Sequence, residues 1–149
     1  MKGFSLVEVL VSVGVLVLIG ITSLTSFVSY QRKEALDKNT AKIEALLEQA
    51  RSMTLSSKDD TQYGVHIESG KLVLFQGNAY SPAAATNLIT NLPGSVIAST
   101  TLSGGGNDII FDRIQGTTNE YGTTTLSLTA QASSTKSIII YKTGLIERY

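Results

Sequence analysis

The sequence predicts an α+β fold, in which one long N-terminal helix packs on a C-terminal antiparallel β domain. An apolar segment at residues 4–30 runs without a break into an amphipathic segment at residues 31–57. Residues 58–149 then show the apolar alternation and the turn residues of short strands. With 149 residues, the chain has room for one small globular domain beside such a helix.

The apolar half of the predicted helix contains a single charged side chain, Glu8. A carboxylate at the centre of a membrane helix costs about 2.5–3.5 kcal/mol on insertion scales, so Glu8 predicts a functional role and requires a partner. If the chain were cut after Gly3, the new amino group of Phe4 would lie about one helical turn from Glu8. That amine could pair with Glu8 of the same chain or of a neighbouring copy.

This N-terminal segment resembles that of the type IV pilin and pseudopilin family. The resemblance rests on Gly3, Phe4, the glutamate at Glu8 and the long apolar run at residues 9–21. In that family a membrane aspartyl peptidase, the prepilin peptidase, cuts after the glycine and methylates the new terminal phenylalanine. The resemblance therefore implies cleavage between Gly3 and Phe4, N-methylation of Phe4, and an assembly role for Phe4 and Glu8.

Two features depart from the usual family pattern. The leader, residues 1–3, is short, so either Lys2 alone supplies the cytoplasmic positive charge or the true start lies upstream. No proline precedes Pro82, which leaves Gly14, Gly20 and the polar residues 22–26 as the points where the helix could melt. An ordinary signal peptide is the alternative, although Glu8 interrupts its apolar core and residues 22–27 form a poor cleavage site.

Apolar residues at a spacing of three and four continue the helix to an expected end near Ser56; they are Leu36, Ile43, Leu46, Leu47 and Ala50. A helix of about fifty residues measures roughly 75 Å, which is far more than a bilayer requires. Its second half is therefore expected to pack on the domain that follows.

The β domain begins with an alternating segment in which Tyr63, Val65 and Ile67 share one face and His66 lies on the other. A hairpin turn at Ser69-Gly70 leads into residues 71–76. Further elements are predicted at residues 88–92, 96–98, 108–114, 123–129 and 137–141, with a continuation into 145–146 left open. This part is loosely similar to the H-class minor pseudopilins of type II secretion and to FimT-like minor pilins, in residues 63–67, 109–116 and 137–146.

The residues offer little for catalysis or metal binding. Cysteine is absent and His66 is the only histidine, so a Cys-His pair is impossible and a plain surface histidine is expected. The loop at residues 104–106 lacks the lysine of a phosphate-binding loop. Oxygen ligands are clustered in a spacing that matches no calcium loop; they are Asn107, Asp108, Asp112 and Glu120. The sequence thus predicts a protein that is not an enzyme and has no cofactor or metal.

The predicted function is that of a structural subunit, a pilin or minor pseudopilin, of a type IV filament system such as a type II secretion pseudopilus or a type IV pilus. Its expected partners are the prepilin peptidase, other pilins and an inner-membrane assembly platform. It would cross the cytoplasmic membrane once, with Lys2 inside and the globular domain outside, and then enter the filament.

Two other functions remain open. Balanced charge, twelve basic against twelve acidic residues, makes nucleic-acid binding unlikely, but a DNA-uptake minor pilin could use Lys136, Lys142 and Arg148. The chain could also be a membrane-anchored binding domain that never polymerises. That function predicts an intact N-terminus.

Overall fold

The computed structural model describes Gly3 and residues 5–149, with residues 21–26 described by their backbone alone. The elements, in chain order, are helix α1 (Leu6–Leu55), a 3-10 turn (Lys58–Asp60) and strands β1 (Tyr63–Glu68), β2 (Lys71–Gln76), β3 (Leu88–Asn91), β4 (Val96–Leu102), β5 (Asp108–Ile110), β6 (Gly122–Leu128), β7 (Gln131–Ile140) and β8 (Ile146–Arg148). The predicted α+β class is confirmed.

The chain forms two compact units, Met1–Glu34 and Ala35–Tyr149. Helix α1 contributes residues to both units. Within the first unit, residues 6–34 are helical. The second unit holds the rest of α1 together with all eight strands.

The strands of the second unit form two antiparallel sheets of four strands each, in the orders β3-β2-β1-β5 and β4-β6-β7-β8. The β1–β2 hairpin closes where Glu68 pairs with Lys71, which confirms the predicted turn at Ser69-Gly70. Gly64 is required in β1 because a Cβ at this position would lie 2.6 Å from the ring of Phe75 in β2.

One hydrophobic core joins the second half of α1 to both sheets. On the helix, Ile43, Leu47 and Ala50 are fully buried. On the sheets, Val65 and Leu126 are equally inaccessible. Burying an aliphatic side chain of this size contributes about 1.5–3 kcal/mol, so the amphipathic half of the helix is held by its own β domain, as expected.

Two ion pairs and a hydrogen bond add polar contacts between the helix and the strands and loops near the C-terminus. Asp37 lies 3.2 Å from Lys136, and Glu44 lies 3.6 Å from Arg148. Arg51 Nε donates to the carbonyl oxygen of Gly116 at 3.3 Å. All of these side chains are partly exposed, so each ion pair contributes at most about 1 kcal/mol.

Three strands differ from their predicted ranges by several residues. The strand expected at 108–114 ends at Ile110, because Ile114 adopts a left-handed backbone (φ 71°) and Gly116 N donates to Asp112 O. Strand β4 continues to Leu102 because it pairs with β6 along its full length. Strand β7 begins at Gln131, where a register shift in β6 allows the pairing to continue. The open question after residue 141 is settled by the separate strand β8, which follows a turn.

Candidate functional site at the N-terminal end of the helix

Helix α1 begins immediately after Ser5. The Ser5 carbonyl oxygen accepts hydrogen bonds from Glu8 N at 3.0 Å and from Val9 N at 3.2 Å. Glu8 therefore lies in the first turn, where a negative charge is stabilised by about 0.3–1 kcal/mol because it faces the positive end of the helix dipole. The helix dipole is therefore a second physical reason for a carboxylate at position 8, in addition to the proposed charge pair.

The Glu8 side chain is exposed and lies among apolar neighbours. Leu6, Val7 and Leu10 are 79%, 67% and 67% exposed. Its carboxylate forms no ion pair with any residue that the structure describes, while its backbone oxygen accepts a hydrogen bond from Ser12 Oγ at 2.7 Å. A charge on an apolar surface can be neutralised by a cation that a second molecule brings.

The other N-terminal residues of the motif are located in part. Gly3 precedes the helix, is exposed, and would have no neighbour within 4 Å of an added Cβ. Phe4, the predicted new terminus and methylation site, lies outside the described residues, as do Met1 and Lys2. The structure therefore locates Gly3 and Glu8. Cleavage after Gly3, methylation of Phe4 and the pairing of Phe4 with Glu8 stay predictions.

One face of the first helical turns is continuously apolar. Leu6, Val9, Leu10, Val13 and Gly14 line a shallow groove along it. Their spacing of three and four is that of a helix face that packs on another helix, and a glycine in such a face permits close approach. Over the described part of the chain, no helix has the length and apolarity that crossing a membrane would need.

His66 lies in a different environment from the one expected. Its ring Nδ1 forms a hydrogen bond with the Asp108 carboxylate, and its Nε2 lies 3.2 Å from Glu68 Oε1. The ring also stacks on that of Tyr80, with the two centroids 4.0 Å apart. Its side chain is only 15% exposed, so the expectation of a plain surface histidine is wrong. The β1–β5 register, which pairs His66 with Asp108, produces this contact, and local sequence could not reveal it.

The carboxylates that were considered as metal ligands each bind a different neighbouring side chain. Asp108 binds His66, and Asp112 accepts from Thr117 Oγ1 at 3.0 Å. Glu120 accepts from Thr118 Oγ1 at 3.2 Å. Among the described residues, no three histidine or acidic side chains are arranged to hold a metal ion.

The basic residues considered for DNA are largely occupied. Lys136 pairs with Asp37 and Arg148 pairs with Glu44, both on α1. Lys142 is exposed and forms no ion pair among the described residues. Of these three residues only Lys142 remains free of an ion pair in the described structure, and a single lysine attracts a phosphate backbone weakly.

The fold defined by these elements is that of the type IV pilins and pseudopilins. Two crystal structures of the type IV minor pilin FimU from Pseudomonas aeruginosa resemble it. One has a TM-score of 0.63 and 15% identity over 80% of this chain and 92% of that chain. The other has a TM-score of 0.60 and 16% identity over 76% and 92% of the two chains.

The minor pseudopilin EpsH of the Vibrio cholerae type 2 secretion system is also similar, with a TM-score of 0.58 and 14% identity over 76% of this chain and 95% of that chain. No protein-family model and no curated protein sequence matches the chain. At these identities the likeness establishes the fold, and the resemblance predicted from the sequence is confirmed at that level.

Proposed function

We propose that this protein is a structural subunit, a pilin or minor pseudopilin, of a type IV filament system. The observation that carries the proposal is the Glu8 carboxylate, which pairs with no cation among the described residues and lies in the first turn of an exposed apolar helix. That helix belongs to a chain with a pilin-like fold. The structural neighbours are a minor pilin and a minor pseudopilin.

In this proposal the apolar part of α1 serves first as a membrane anchor, with the β domain outside the cytoplasm. The prepilin peptidase then cuts after Gly3 and methylates Phe4. Gly3 fits the cleavage step because it lies before the helix and is exposed, so a peptidase can reach the backbone around it.

Assembly then follows from the apolar face and the charge. Helices from Phe4 onward pack side by side, and the Leu6-Val9-Leu10-Val13 face supplies apolar contact area. The Phe4 amine of one subunit neutralises Glu8 of its neighbour, so only helices in the correct stagger avoid an unpaired charge in low dielectric. The assembly platform and the other filament subunits are the partners of this step.

The processing step is tested by mass spectrometry of the intact full-length chain, expressed with and without a prepilin peptidase. We expect loss of Met1 to Gly3 and a methylated Phe4 only when the peptidase is present. Gly3→Ala should impair the cut, whereas Gly20→Ala should not, because Gly20 also has no close neighbours but lies beyond the motif.

Two results would overturn this proposal. An intact terminus despite an active peptidase would favour a membrane-anchored binding domain that does not polymerise. A cut beyond Ile21 would favour an ordinary secretory signal.

A further inference from the structure

The sheet β4-β6-β7-β8 carries hydroxyl side chains in register on the side that faces away from the core. Alternate residues of its strands, such as Leu126 and Ile138, are buried in the core, so the residues between them face outward. Cross-strand pairing aligns these outward residues in two rows, which are called here the outer face. The first row is Ser99, Thr125, Ser137 and Tyr149, and the second is Thr101, Thr123, Ile139 and Glu147.

The serine and threonine hydroxyls of the outer face are not used inside the protein. Among the described residues, none of these hydroxyl groups forms a hydrogen bond with another protein group. Ser99 and Thr101 are exposed, and the others are partly exposed. Because a hydroxyl both donates and accepts, each of them is available to a polar molecule that lies on this surface.

Two exposed tyrosines and a carboxylate lie at the β8 end of the outer face. Tyr141, which follows β7, and Tyr149 both donate to Glu147 Oε2, at 3.0 Å and 3.1 Å. The hydrogen bond with Glu147 is the main cause that raises the pKa of Tyr141 to about 12, so this hydroxyl stays protonated at neutral pH. The two rings are 38% and 62% exposed. Within the described structure, Glu147 Oε1 accepts no hydrogen bond, so it remains available as an acceptor.

We propose that the outer face binds a neutral glycan in the form of an extended chain of β-linked sugar rings. Such a chain is a flat ribbon, with C–H groups on its two faces and hydroxyls along its edges. Its faces can stack on Tyr141 and Tyr149, because tyrosine rings offer large contact areas at a low cost in conformational entropy. Its hydroxyls can donate to Glu147 and exchange hydrogen bonds with the two rows. Four strands about 4.8 Å apart span roughly 15 Å, which accommodates a few sugar rings.

The charge of the outer face argues against a nucleic acid or an anionic lipid as the partner. Glu147 is the only charged side chain in the two rows. The basic residues of the same strands, Lys136 and Arg148, pair with Asp37 and Glu44 of α1. Phosphate backbones and anionic membranes bind to surfaces rich in lysine and arginine. A neutral glycan needs no such cations.

The composition of the outer face also argues against a second protein, including another copy of this chain. Protein interfaces are held by a buried apolar core, and serine is depleted in them. Ile139 is the only aliphatic side chain in the two rows, and it is already partly buried. A protein on this face would remove water from the hydroxyls and gain little apolar burial. Sugar hydroxyls can replace the hydrogen bonds that those waters make.

The test titrates the isotopically labelled full-length chain with cellohexaose and with chitohexaose, which are neutral, β-linked hexasaccharides. The chain is held in micelles of a zwitterionic detergent, because detergents with sugar headgroups would compete. We expect amide shifts confined to β4, β6, β7, β8 and Tyr141. A cellouronic acid hexamer, which has the same linkage and a carboxylate on each ring, should bind at least about tenfold more weakly because its charges approach Glu147.

Variants of exposed tyrosines locate the site. Tyr149→Ala removes the more exposed ring and should weaken cellohexaose binding at least about tenfold. Tyr149→Phe keeps the ring and should bind within about threefold of the parent chain. Tyr30→Ala is the matched control, because Tyr30 is 66% exposed but lies on α1, and its binding should be unchanged. Unshifted core amides in each variant show that the fold is intact.

The proposal fails if both neutral sugars at millimolar concentration leave the outer face unshifted, if the cellouronic acid binds as well as cellohexaose, or if Tyr149→Ala binds like the parent. Outer-face shifts that depend on protein concentration without sugar would assign the face to a second copy and would also overturn it. The three sugars test the parent chain itself, so the result does not depend on any variant folding. None of these measurements involves N-terminal processing, so their outcome is separate from that of the proposed function.

Discussion

Replacing Glu8 with alanine tests the charge-pairing step of assembly. The carboxylate is exposed, lies among apolar residues and has no cation beside it in the described chain. In a filament core the proposed Phe4 amine would be its partner. Removing one member of a buried ion pair typically costs about 3–5 kcal/mol, because the other charge stays buried and unpaired. At about 1.4 kcal/mol per factor of ten, subunit incorporation should fall by roughly two to four orders of magnitude.

The assay compares processing and assembly in the same cells. Mass spectrometry reads the N-terminus of the Glu8→Ala subunit, and immunoblotting measures how much of it enters filaments sheared from the cell surface. We expect a normal cut after Gly3 and almost no subunit in the filaments. Glu34→Ala is the matched control, because Glu34 is an exposed carboxylate of the same helix that lies beyond the apolar run. It should assemble normally.

Either of two results would refute the reasoning. Normal incorporation of Glu8→Ala would show that no charge pair selects the stagger of the helices. Failure of the cut in this variant would show that Glu8 acts in processing, and the missing filaments would then need no charge pair. Glu8→Gln separates charge from shape, because it keeps the length of the side chain and should fail in assembly as Glu8→Ala does.

Three predictions concern the β domain and are measured by urea unfolding of the full-length chain in detergent. Ile43→Ala should destabilise it by about 2–5 kcal/mol, because Ile43 is fully buried and a cavity would remain; a loss below 1 kcal/mol would contradict the proposed packing. Burial, and then a hydrogen bond to a neighbouring carboxylate, raises the pKa of Tyr63 to about 12. The stabilisation from its neutral form is therefore complete below pH about 10 and lost as the pH rises through about 12, and Tyr63→Phe should flatten this decline. Gly144→Ala should lower stability by about 2 kcal/mol or more, because its φ is +78° and an added Cβ would lie 1.8 Å from Gly116 O, whereas Gly70→Ala, with open space, is the control.

Much of the fold follows from periodicity in the sequence. The spacing of Ile43, Leu47 and Ala50 predicted the buried face of α1, and the alternation of Tyr63, Val65 and Ile67 predicted the inner face of β1. These patterns are local, because a helix or a strand repeats its own geometry every few residues. Local patterns were therefore sufficient for the long helix and the first hairpin.

Contacts between distant segments could not be predicted in this way. The early end of β5 depends on hydrogen bonds that Asp112 and Gly116 make within their own loop, and on a left-handed residue, Ile114, that carries no glycine signal. The partners of His66 depend on the pairing of β1 with β5. In the same way, no cation pairs with Glu8 among the described residues, so the sequence motif identifies the residue while its proposed pairing stays a prediction.

The two parts of helix α1 differ in how their apolar surface is covered. In residues 36–50 the apolar face is buried by the β domain of the same chain. In residues 6–17 leucine and valine side chains remain 50–79% exposed. Each such side chain would contribute about 1.5–3 kcal/mol of stabilisation if it were fully buried. A monomer whose helix stays in water does not gain this stabilisation. Lipid can cover this surface but gives Glu8 no partner, whereas a second subunit with a free terminal amine can do both. In the proposed assembly, pairing of a Phe4 amine with Glu8 of a neighbouring subunit therefore favours the filament over a subunit that lipid alone surrounds.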